Sequence, residues 1–546
     1  MKPQKFLIYL FFSFLLISCD TKQKADFLVY NATVYTVDSN FGKAEAIAIK
    51  DGKIVAVGKT DALINAFDIT EKIDADGKFI YPGFIDAHCH FMAYGKGLQE
   101  CDLNGTTSWQ EILDRLKTFA VQHPKGWLIG RGWDQNDWAS KNFPVNDSLN
   151  SLFPDRPVSL QRVDGHAVIV NQNAIELAGI KPGQTLTGGD IVTINGRLTG
   201  VLIDNATDLI DLKIPASTND DVTKYLQDAE LKCFATGLTS VQDCGLDFKD
   251  VDLVEKLYKE GKLNMRMYIM LSDKKANYEY LFAKGKIQTD QLTVNGFKLY
   301  ADGALGSRGA CLLQHYSDKP GHSGFLLKTE NYYDSIIPVI AAKGFQACTH
   351  AIGDSANRTI LNIYTKALQG KPGLRWRIEH AQVINPNDFN LFGASQVIPS
   401  VQPTHATSDM YWAGDRLGAE RIIGAYAYKK LLQQNGWLPL GTDFPVEDIS
   451  TFKTFLAAVV RKDAKGFPEN GFQIENALSR EEAIRGMTIW AAKAAFEEQL
   501  KGSLEIGKLA DFIILDKDLL VCDEKEILAT KVLKTFVGGK QVFGFK

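Results

Sequence analysis

Short apolar runs separated by turn residues mark both ends of the chain as β-rich. Near the N-terminus these runs cover residues 27–30, 33–37, 46–49 and 53–57, with Asp51-Gly52 as a hairpin turn. The C-terminal end has the same pattern over residues 511–515, 532–537 and 541–543. Because the two ends share this character, we predict one small β-sheet domain, built from residues 26–80 and 491–546, that encloses the middle of the chain.

The middle of the chain alternates short apolar strands with amphipathic helices, such as those predicted over residues 221–235 and 251–259. The predicted strands cover residues 83–88, 239–243, 266–271, 296–300, 346–350, 375–380, 397–402 and 439–443. This alternation predicts a parallel α/β architecture, and eight such strands fit a (β/α)8 TIM barrel over residues 81–490. The first two strands are too far apart for a single connecting helix, so we predict a large insertion over about residues 96–215.

The first eighteen residues form a separate segment. Lys2 and Lys5 precede an apolar run over residues 6–17, which as a helix is about 18 Å long against the ~30 Å hydrocarbon core of a bilayer. We therefore predict a secretory signal peptide over residues 1–18 and not a membrane span. Residues 19–25 are predicted to be a polar tether.

The end of this segment, Leu16-Ile17-Ser18-Cys19, resembles the lipobox of bacterial lipoproteins. The resemblance implies cleavage before Cys19 and acylation of Cys19; an ordinary signal peptide with a chance cysteine is the alternative. We expect an exported protein whose only membrane contact is this lipid anchor, on the periplasmic or cell-surface side of a bacterial membrane.

Composition narrows the class of protein further. The chain of 546 residues is 45% hydrophobic and 23% charged, with a net charge of −4, as expected for a soluble globular body. Acidic and basic residues are interspersed, so neither nucleic acid nor another polyanion is an expected partner. Apart from Cys19, the chain has an odd number of scattered cysteines, which we predict to be mostly buried free thiols.

The clearest chemical motif is Asp86-Ala87-His88-Cys89-His90, at the end of the first predicted barrel strand. Residues i and i+2 of a strand share a face, so His88 and His90 point the same way and suit one divalent metal ion. Cys89 then points to the opposite face and is expected to pack there.

Other predicted strands also end on groups that bind metals, namely His350, His380 and Asp443. The carboxyl ends of barrel strands converge on one mouth, so we predict a metal site there. Lys298 lies inside another predicted strand, where burying a bare ammonium is costly. Ion pairing, a lowered pKa or conversion to a carbamate by carbon dioxide would each solve this, and the sequence leaves the choice open.

Several motifs together resemble the amidohydrolase superfamily. Its opening motif is similar to residues 81–90, and its YtcJ-like branch (amidohydrolase family 3) is similar to residues 298–308, 350–354, 378–381 and 441–445. The resemblance implies one or two divalent metal ions, with zinc the expected ion. His88, His90 and Asp443 would hold the first ion, His350 and His380 the second, and a carboxylated Lys298 would bridge them.

This metal set implies a hydrolase. A bound metal lowers the pKa of water from 15.7 to about 7, and Asp443 would act as general acid and base. We expect the substrate to be a small molecule with an amide, N-acyl or N-formyl group, cleaved at a carbon–nitrogen bond that is not a peptide bond. An esterase or lactonase using the same site, and a surface lipoprotein that only binds a ligand, remain the alternatives.

The candidate substrate-binding residues are less strongly indicated. The family resemblance suggests a role for His166 near the substrate. Asp302 and Arg308 follow the Lys298 strand and are placed to meet polar groups of the substrate or to order that loop. Trp133 and Asp134 of the insertion are predicted as a pocket wall and a polar anchor. The sequence leaves the oligomeric state open, and a homo-oligomer is compatible with it.

Overall fold

The computed structural model of the protein describes residues 22–369 and 373–544. The predicted signal peptide and Cys19 lie outside the described residues. The tether predicted over residues 19–25 is wrong at its C-terminal end, because the first strand already begins at Gln23. The backbone of residues 23–25 pairs with that of residues 67–69, while the polar side chains of Gln23 and Lys24 stay exposed.

A four-stranded sheet forms from the first part of the chain. Its strands, in spatial order, are Lys53–Gly58, Ala46–Lys50, Gln23–Tyr30 and Phe67–Asp74, and helix Thr60–Ala66 precedes the last. The predicted turn residues Asp51 and Gly52 join the hairpin, with φ angles of 50° and 74°. Positive φ at both central residues gives the turn the twist of its flanking strands.

A six-stranded sheet combines the two ends of the chain. Its spatial order is Lys540–Phe543, Val532–Val537, Phe512–Leu515, Phe79–Pro82, Thr33–Tyr35 and Lys43–Ala44. The strands from the chain ends thus occupy two sheets. Val29 and Ile47 of the four-stranded sheet share a buried core with Ile80, Phe512 and Phe536 of the six-stranded sheet, because each sheet has an apolar face to cover.

Seven parallel strands form a nearly closed barrel in the middle of the chain. We number them β1 (Phe84–Cys89), β2 (Leu238–Leu246), β3 (Arg266–Ser272), β4 (Leu292–Tyr300), β5 (Gln346–Ala351), β6 (Arg377–His380) and β7 (Ile398–Ser400). Each strand pairs in parallel with the next, and the short strand Ile287–Gln288 pairs with β4. Their side chains are almost all buried, as is usual for parallel strands covered on both faces.

The eighth predicted strand, residues 439–443, lies between β7 and β1 but forms only a single parallel bridge. The Gly441 amide donates to the Val401 carbonyl (3.0 Å), and the Asp443 amide donates to the His88 carbonyl (2.8 Å). The Thr442 amide instead donates to the Asp86 carboxylate (3.0 Å), which interrupts the ladder. The prediction of eight regular strands is therefore wrong at this position, although the segment fills the gap.

Helices surround the barrel. Both predicted helices are confirmed, and Thr218 with Asp221 forms a capping box at the start of the first. The helices that follow β1 and the later strands are Phe91–Gly97, Asn219–Ala235, Phe248–Lys259, Lys275–Lys284, Glu330–Lys343, Asp354–Leu368, Phe389–Ser395, Pro403–Asp409, Ala413–Arg421, Tyr428–Asn435, Thr451–Val459, Arg480–Gly486 and Ile489–Ala494. Within the described ranges, no helix has the length and hydrophobicity needed to cross a membrane.

The chain between β1 and β2 builds its own sheet and core. The strands of this insertion sheet, in spatial order, are Gly189–Ile194, Arg197–Asp204, Ala167–Val170, Val158–Arg162, Leu128–Trp133 and Cys101–Asp102. The helices beside it are Trp109–Gln122, Asp147–Leu152, Gln172–Ala178 and Asp208–Asp211. A separate apolar cluster under this sheet lets the insertion pack as a unit against the barrel mouth.

Candidate metal centre

The end of β1 places two imidazoles beside one carboxylate. His88 and His90 lie on the same side of the strand, with ring centroids 5.8 Å apart. The Nε2 atom of each lies 3.5 Å from Oδ1 of Asp443. Cys89 points the other way, and its thiol contacts the Gln242 carbonyl oxygen at 3.6 Å. The alternation of side chains between the two faces of a strand thus separates the candidate metal ligands from the Cys89 thiol. All seven cysteines of the described chain are free.

The ends of β5 and β6 bring two more imidazoles to the same place. The His380 ring lies 4.7 Å from the His88 ring and 4.6 Å from the His350 ring. Both His350 and His380 are buried. The structure therefore gathers His88, His90, His350, His380 and Asp443 at one end of the barrel, where the carboxyl ends of its strands meet.

Lys298, on β4, lies within this cluster. Its side chain is buried, and Nζ is 3.3 Å from Nε2 of His88. Burial lowers the pKa of the Lys298 amine, but electrostatic interactions with Tyr300, Cys244, Glu379 and Asp443 outweigh it and raise that pKa above its ordinary value. Without a metal, the site thus favours an ammonium at the position where the resemblance places a bridging group.

The imidazoles of His88, His350 and His380 are neutral. Burial and the Lys298 charge lower the pKa of His88 to about 4 and that of His350 well below its usual value. Burial and the neighbouring His350 also lower the pKa of His380 well below its usual value. Burial raises the pKa of Asp443, but His88, the hydrogen bond from His405 and the nearby His90 more than reverse this, so Asp443 is a carboxylate. Neutral imidazoles and a carboxylate are the protonation states in which these groups bind metals.

A histidine that the sequence analysis missed also belongs to the cluster. His405, near the start of helix Pro403–Asp409, has Nε2 3.1 Å from Oδ2 of Asp443 and Nδ1 3.1 Å from Oε1 of Glu447. Burial lowers its pKa, but the hydrogen bonds to these two carboxylates raise it well above the usual value. Its position three residues beyond a predicted strand end was the available signal, because that connection also faces the barrel mouth.

Two further residues contact the Nδ1 atoms of His88 and His380. Oε2 of Glu379 lies 2.5 Å from Nδ1 of His88, and Oε1 of Gln402 lies 2.8 Å from Nδ1 of His380. Burial raises the pKa of Glu379, but Arg377 and His88 lower it to about 2. These contacts direct the Nε2 atom of each ring towards the cluster, as outer partners of metal-binding histidines do.

The arrangement fits a divalent cation. The ligand atoms of His88, His90 and Asp443 lie within 4.8 Å of one another, as do those of His380, His405 and Asp443. Across the described chain, Nε2 of His350 and Oδ1 of Asp443 are buried without any hydrogen-bond partner. Buried polar atoms of this kind are costly unless a ligand satisfies them, and imidazole with carboxylate is a usual donor set for zinc.

A cavity of about 500 Å³ opens from the cluster and is bounded on one side by the insertion. Two of the predicted substrate-binding residues, Asp134 and His166, line it. Nδ1 of His166 lies 2.8 Å from Oδ1 of Asp204, and the His166 ring lies 6.3 Å from the His350 ring. Oδ1 of Asp134 accepts a hydrogen bond from Arg162 at 2.8 Å.

The other three predicted substrate-binding residues do not line this cavity. Trp133 is fully buried in the core of the insertion and donates to the Leu160 carbonyl, because strand alternation turns it away from the cavity. The oxygens of Asp302 accept from the backbone amides of Ile352, Gly353 and Cys311. Arg308 pairs with Asp318 at 2.8 Å and borders a different cavity. The expectation of a substrate contact was therefore wrong for all three, and Asp302 instead takes the alternative role of ordering the loop that follows it.

The profile of the Amidohydrolase family matches residues 71–543. The chain belongs to the amidohydrolase family. Protein LONG AFTER FAR-RED 3 of Arabidopsis thaliana is 33% identical over 540 residues, which cover 95% of this chain and 92% of that protein. Putative amidohydrolase YtcJ of Bacillus subtilis is 30% identical over 521 residues, 93% of this chain and 98% of that one.

This amidohydrolase also resembles an enzyme of named activity and a solved structure. N-substituted formamide deformylase of Arthrobacter pascens is 24% identical over 547 residues, 95% of this chain and 98% of that enzyme. An uncharacterized metal-dependent hydrolase from Pyrococcus horikoshii superposes with a TM-score of 0.75 at 28% identity, over 91% of this chain and 99% of the other. Family and fold together support a metal-dependent hydrolase.

Proposed function

We propose that this amidohydrolase cleaves carbon–nitrogen bonds other than peptide bonds, in small molecules that carry an amide, N-acyl or N-formyl group. The observation that carries the proposal is the convergence of several imidazoles and the Asp443 carboxylate at the base of one cavity. The similarity to an N-substituted formamide deformylase favours this bond type over an ester.

The proposed cofactor is one or two divalent metal ions, with zinc as the expected ion. His88, His90 and Asp443 would hold one ion, while His350 and His380 would contribute to a second. A bound divalent metal activates water and polarises the carbonyl of the substrate. The carboxylate of Glu379 and the amide oxygen of Gln402 keep their two imidazoles oriented for this role.

Asp443 is the proposed general base and general acid. Its Oδ1 atom accepts no hydrogen bond from any described residue, so it can take a proton from the attacking water. The same carboxyl group then returns the proton to the leaving nitrogen. Oδ2 accepts from His405, which also contacts Glu447, and this pairing holds the carboxylate in one orientation during the transfer.

Lys298 is proposed to become a carbamate when metal is bound. The neutral amine attacks the carbon of carbon dioxide, a C–N bond forms, and the amine proton is released. The product carries anionic oxygens in place of a cationic group. Two observations support this proposal: Lys298 is buried, and its Nζ lies 3.3 Å from Nε2 of His88, where a second positive charge beside a metal would be repelled.

One experiment tests the proposed function. The folded body from about residue 22 is loaded with zinc, its metal content is measured, and it is assayed on N-formyl, N-acyl, amide and ester compounds. We expect one to two bound equivalents and cleavage of the C–N compounds, both lost after chelation and restored by metal. Ester cleavage alone would favour the esterase or lactonase alternative, and a metal-free body would favour a ligand-binding lipoprotein.

A further inference from the structure

Five arginines are buried in the described chain, and one of them has no acidic partner. Four pair with a carboxylate, namely Arg162 with Asp134, Arg266 with Asp511, Arg377 with Glu379 and Arg416 with Asp318. The fifth, Arg461, is fully buried, and its Nε donates to the Phe472 carbonyl oxygen at 2.9 Å. Its Nη1 and Nη2 atoms have no hydrogen-bond partner among the described residues. The charge of Arg461 is therefore not neutralised in the way that the other four are.

The groups around Arg461 do not replace the missing carboxylate. Its Cζ atom lies 5.1 Å from the centre of the Tyr428 ring and 5.7 Å from that of the Phe472 ring. Such contacts attract the face of a guanidinium, but they leave the N–H bonds at its edge unpaired. Burial lowers the pKa of Arg461 below its ordinary value, and the opposing effects of Tyr428, Glu475 and Tyr426 do not outweigh it. The Glu475 side chain is exposed, where water screens its charge.

A buried amide with unpaired atoms lies beside this guanidinium. Asn476 is fully buried, and neither its Nδ2 nor its Oδ1 bonds to any residue that the structure describes. The short 3-10 helix that ends at Asn476 packs against helix Tyr428–Asn435, whose first ring lies under Arg461. The Leu478 amide donates to the Ala458 carbonyl at 2.9 Å, so the segment after Asn476 runs along the one before Arg461. Arg461 and Asn476 therefore belong to one buried region.

The unpaired donors of this region outnumber its unpaired acceptors. Nη1 and Nη2 of Arg461 and Nδ2 of Asn476 each carry two N–H bonds. Within residues 461–476, the buried oxygens without a partner are Oδ1 of Asn476 and Oε1 of Gln473, and both are neutral. Bound water would accept some of these N–H bonds but would leave the positive charge uncompensated. A small anion accepts the N–H bonds and also neutralises the charge.

We propose that Arg461, with Nδ2 of Asn476, binds a small monovalent anion inside the protein, and that chloride is this anion. The edge of the guanidinium offers Nη1 and Nη2 side by side, and its single charge calls for one counterion. Neither residue lines the cavity beside the metal centre, so the site is independent of the proposed reaction. The hydroxyl of Tyr428, whose ring lies under Arg461, donates to the Gln402 carbonyl at 2.9 Å. The anion would thus stabilise the layer of the fold behind the metal centre.

The test compares two salts of different anion size. Urea unfolding of the zinc-loaded protein is followed in sodium chloride and in sodium gluconate at equal ionic strength, because gluconate is too large for a buried atomic-ion site. A ligand that binds only the folded state should stabilise it by about 1.4 kcal/mol for each tenfold rise in chloride above its Kd. We expect this dependence in chloride and not in gluconate. In crystals grown with bromide, anomalous scattering should locate one bromide at hydrogen-bond distance from Nη1 or Nη2 of Arg461.

Arg461→Met removes the charge and keeps a long side chain. We expect this variant to lose the chloride dependence. In gluconate it should be at least as stable as the parent, because the parent there buries an uncompensated charge. Arg358→Met is the matched control: it also removes one arginine, but from a partly exposed pair with Asp388. This control should keep the chloride dependence of the parent.

Equal stability of the parent in chloride and gluconate would overturn the anion site. A chloride dependence that persists in Arg461→Met would do so as well, as would crystals in which water alone occupies the position beside Nη1 and Nη2. If Arg461→Met does not fold, the two salts and the bromide position in the parent protein still decide. None of these measurements uses a substrate, so their failure is distinct from a failure of the proposed hydrolase activity.

Discussion

Nδ1 of His88 lies 2.5 Å from Oε2 of Glu379, and both side chains are completely buried. Oε1 of the same carboxylate lies 3.1 Å from Nε of Arg377. One ionised carboxylate thus fixes the orientation and tautomer of the His88 ring, so that Nε2 faces Asp443 and Lys298. The metal-binding capacity of the first barrel strand therefore depends on a residue of the sixth.

Replacing this carboxylate by an amide tests that dependence. We expect Glu379→Gln to weaken zinc binding by about 10- to 100-fold, because a neutral partner orients the imidazole less firmly and makes it less basic. The measurement is a zinc titration against a competing chelator. Glu498→Gln is the control, since Glu498 also pairs with an arginine, Arg375, but lies outside the cluster. Equal zinc affinity in both variants would contradict this role for Glu379.

Asp443 carries the proposed proton transfer. General acid and base catalysis contributes about 10²- to 10⁴-fold, so Asp443→Asn should lower kcat by at least that range even in protein that still holds metal. The assay uses zinc-loaded enzyme of measured metal content and the best substrate from the panel. Asp388→Asn, at a carboxylate that pairs with Arg358, should retain the parent rate. Comparable turnover by the two variants would rule out the proposed role.

Lys298 distinguishes a carbamate bridge from an ordinary buried lysine. We expect Lys298→Ala to bind less metal, with partial recovery when short carboxylic acids are added together with zinc. Lys501→Met is the control: Lys501 is equally buried, but pairs with Glu497 and Ser240 away from the imidazoles. Full metal occupancy of Lys298→Ala without added acid would count against the carbamate, as would native mass spectra that lack the mass of one carbon dioxide.

A buried ion pair joins the barrel to the sheet made from both chain ends. Nε and Nη2 of Arg266 on β3 contact the two oxygens of Asp511 at 2.6 and 2.9 Å. Removing one charge of a buried pair leaves the other uncompensated, so Asp511→Asn should lower the free energy of unfolding by about 3–5 kcal/mol. Asp147→Asn breaks the exposed pair with Arg197 and should cost less than about 1 kcal/mol. Urea denaturation measures both, and similar losses would refute the structural importance of the buried pair.

The predicted lipid anchor depends on one thiol. Full-length protein expressed in a bacterial host should label with palmitate and sediment with membranes, and Cys19→Ala should abolish both. Cys522→Ala, at a partly exposed thiol of the folded body, should behave as the parent does. If neither the full-length protein nor the two variants label with palmitate or sediment with membranes, an ordinary signal peptide is indicated.

Local pattern was sufficient for most of the barrel. Parallel strands are covered on both faces, so their sequences are short apolar runs. The candidate metal-binding imidazoles and the Asp443 carboxylate lie at the ends of those runs. An apolar run did not predict the structure of residues 439–443. The Thr442 amide there donates to the Asp86 carboxylate and not to a neighbouring strand. The order of apolar and polar residues along a strand does not reveal a hydrogen bond between Thr442 and Asp86, which lie far apart in sequence.

By itself, the sequence determined most of the groups that could hold a metal, because the period of a strand and its terminus place His88, His90, His350, His380 and Asp443. The tertiary structure decided which polar groups remain free for chemistry. His405 reaches Asp443, and Glu379 reaches His88, only after helices and strands from distant parts of the chain have packed. Asp302 and Trp133 are occupied by backbone contacts for the same reason: a buried polar atom bonds to the nearest partner in space, and sequence distance does not predict that partner.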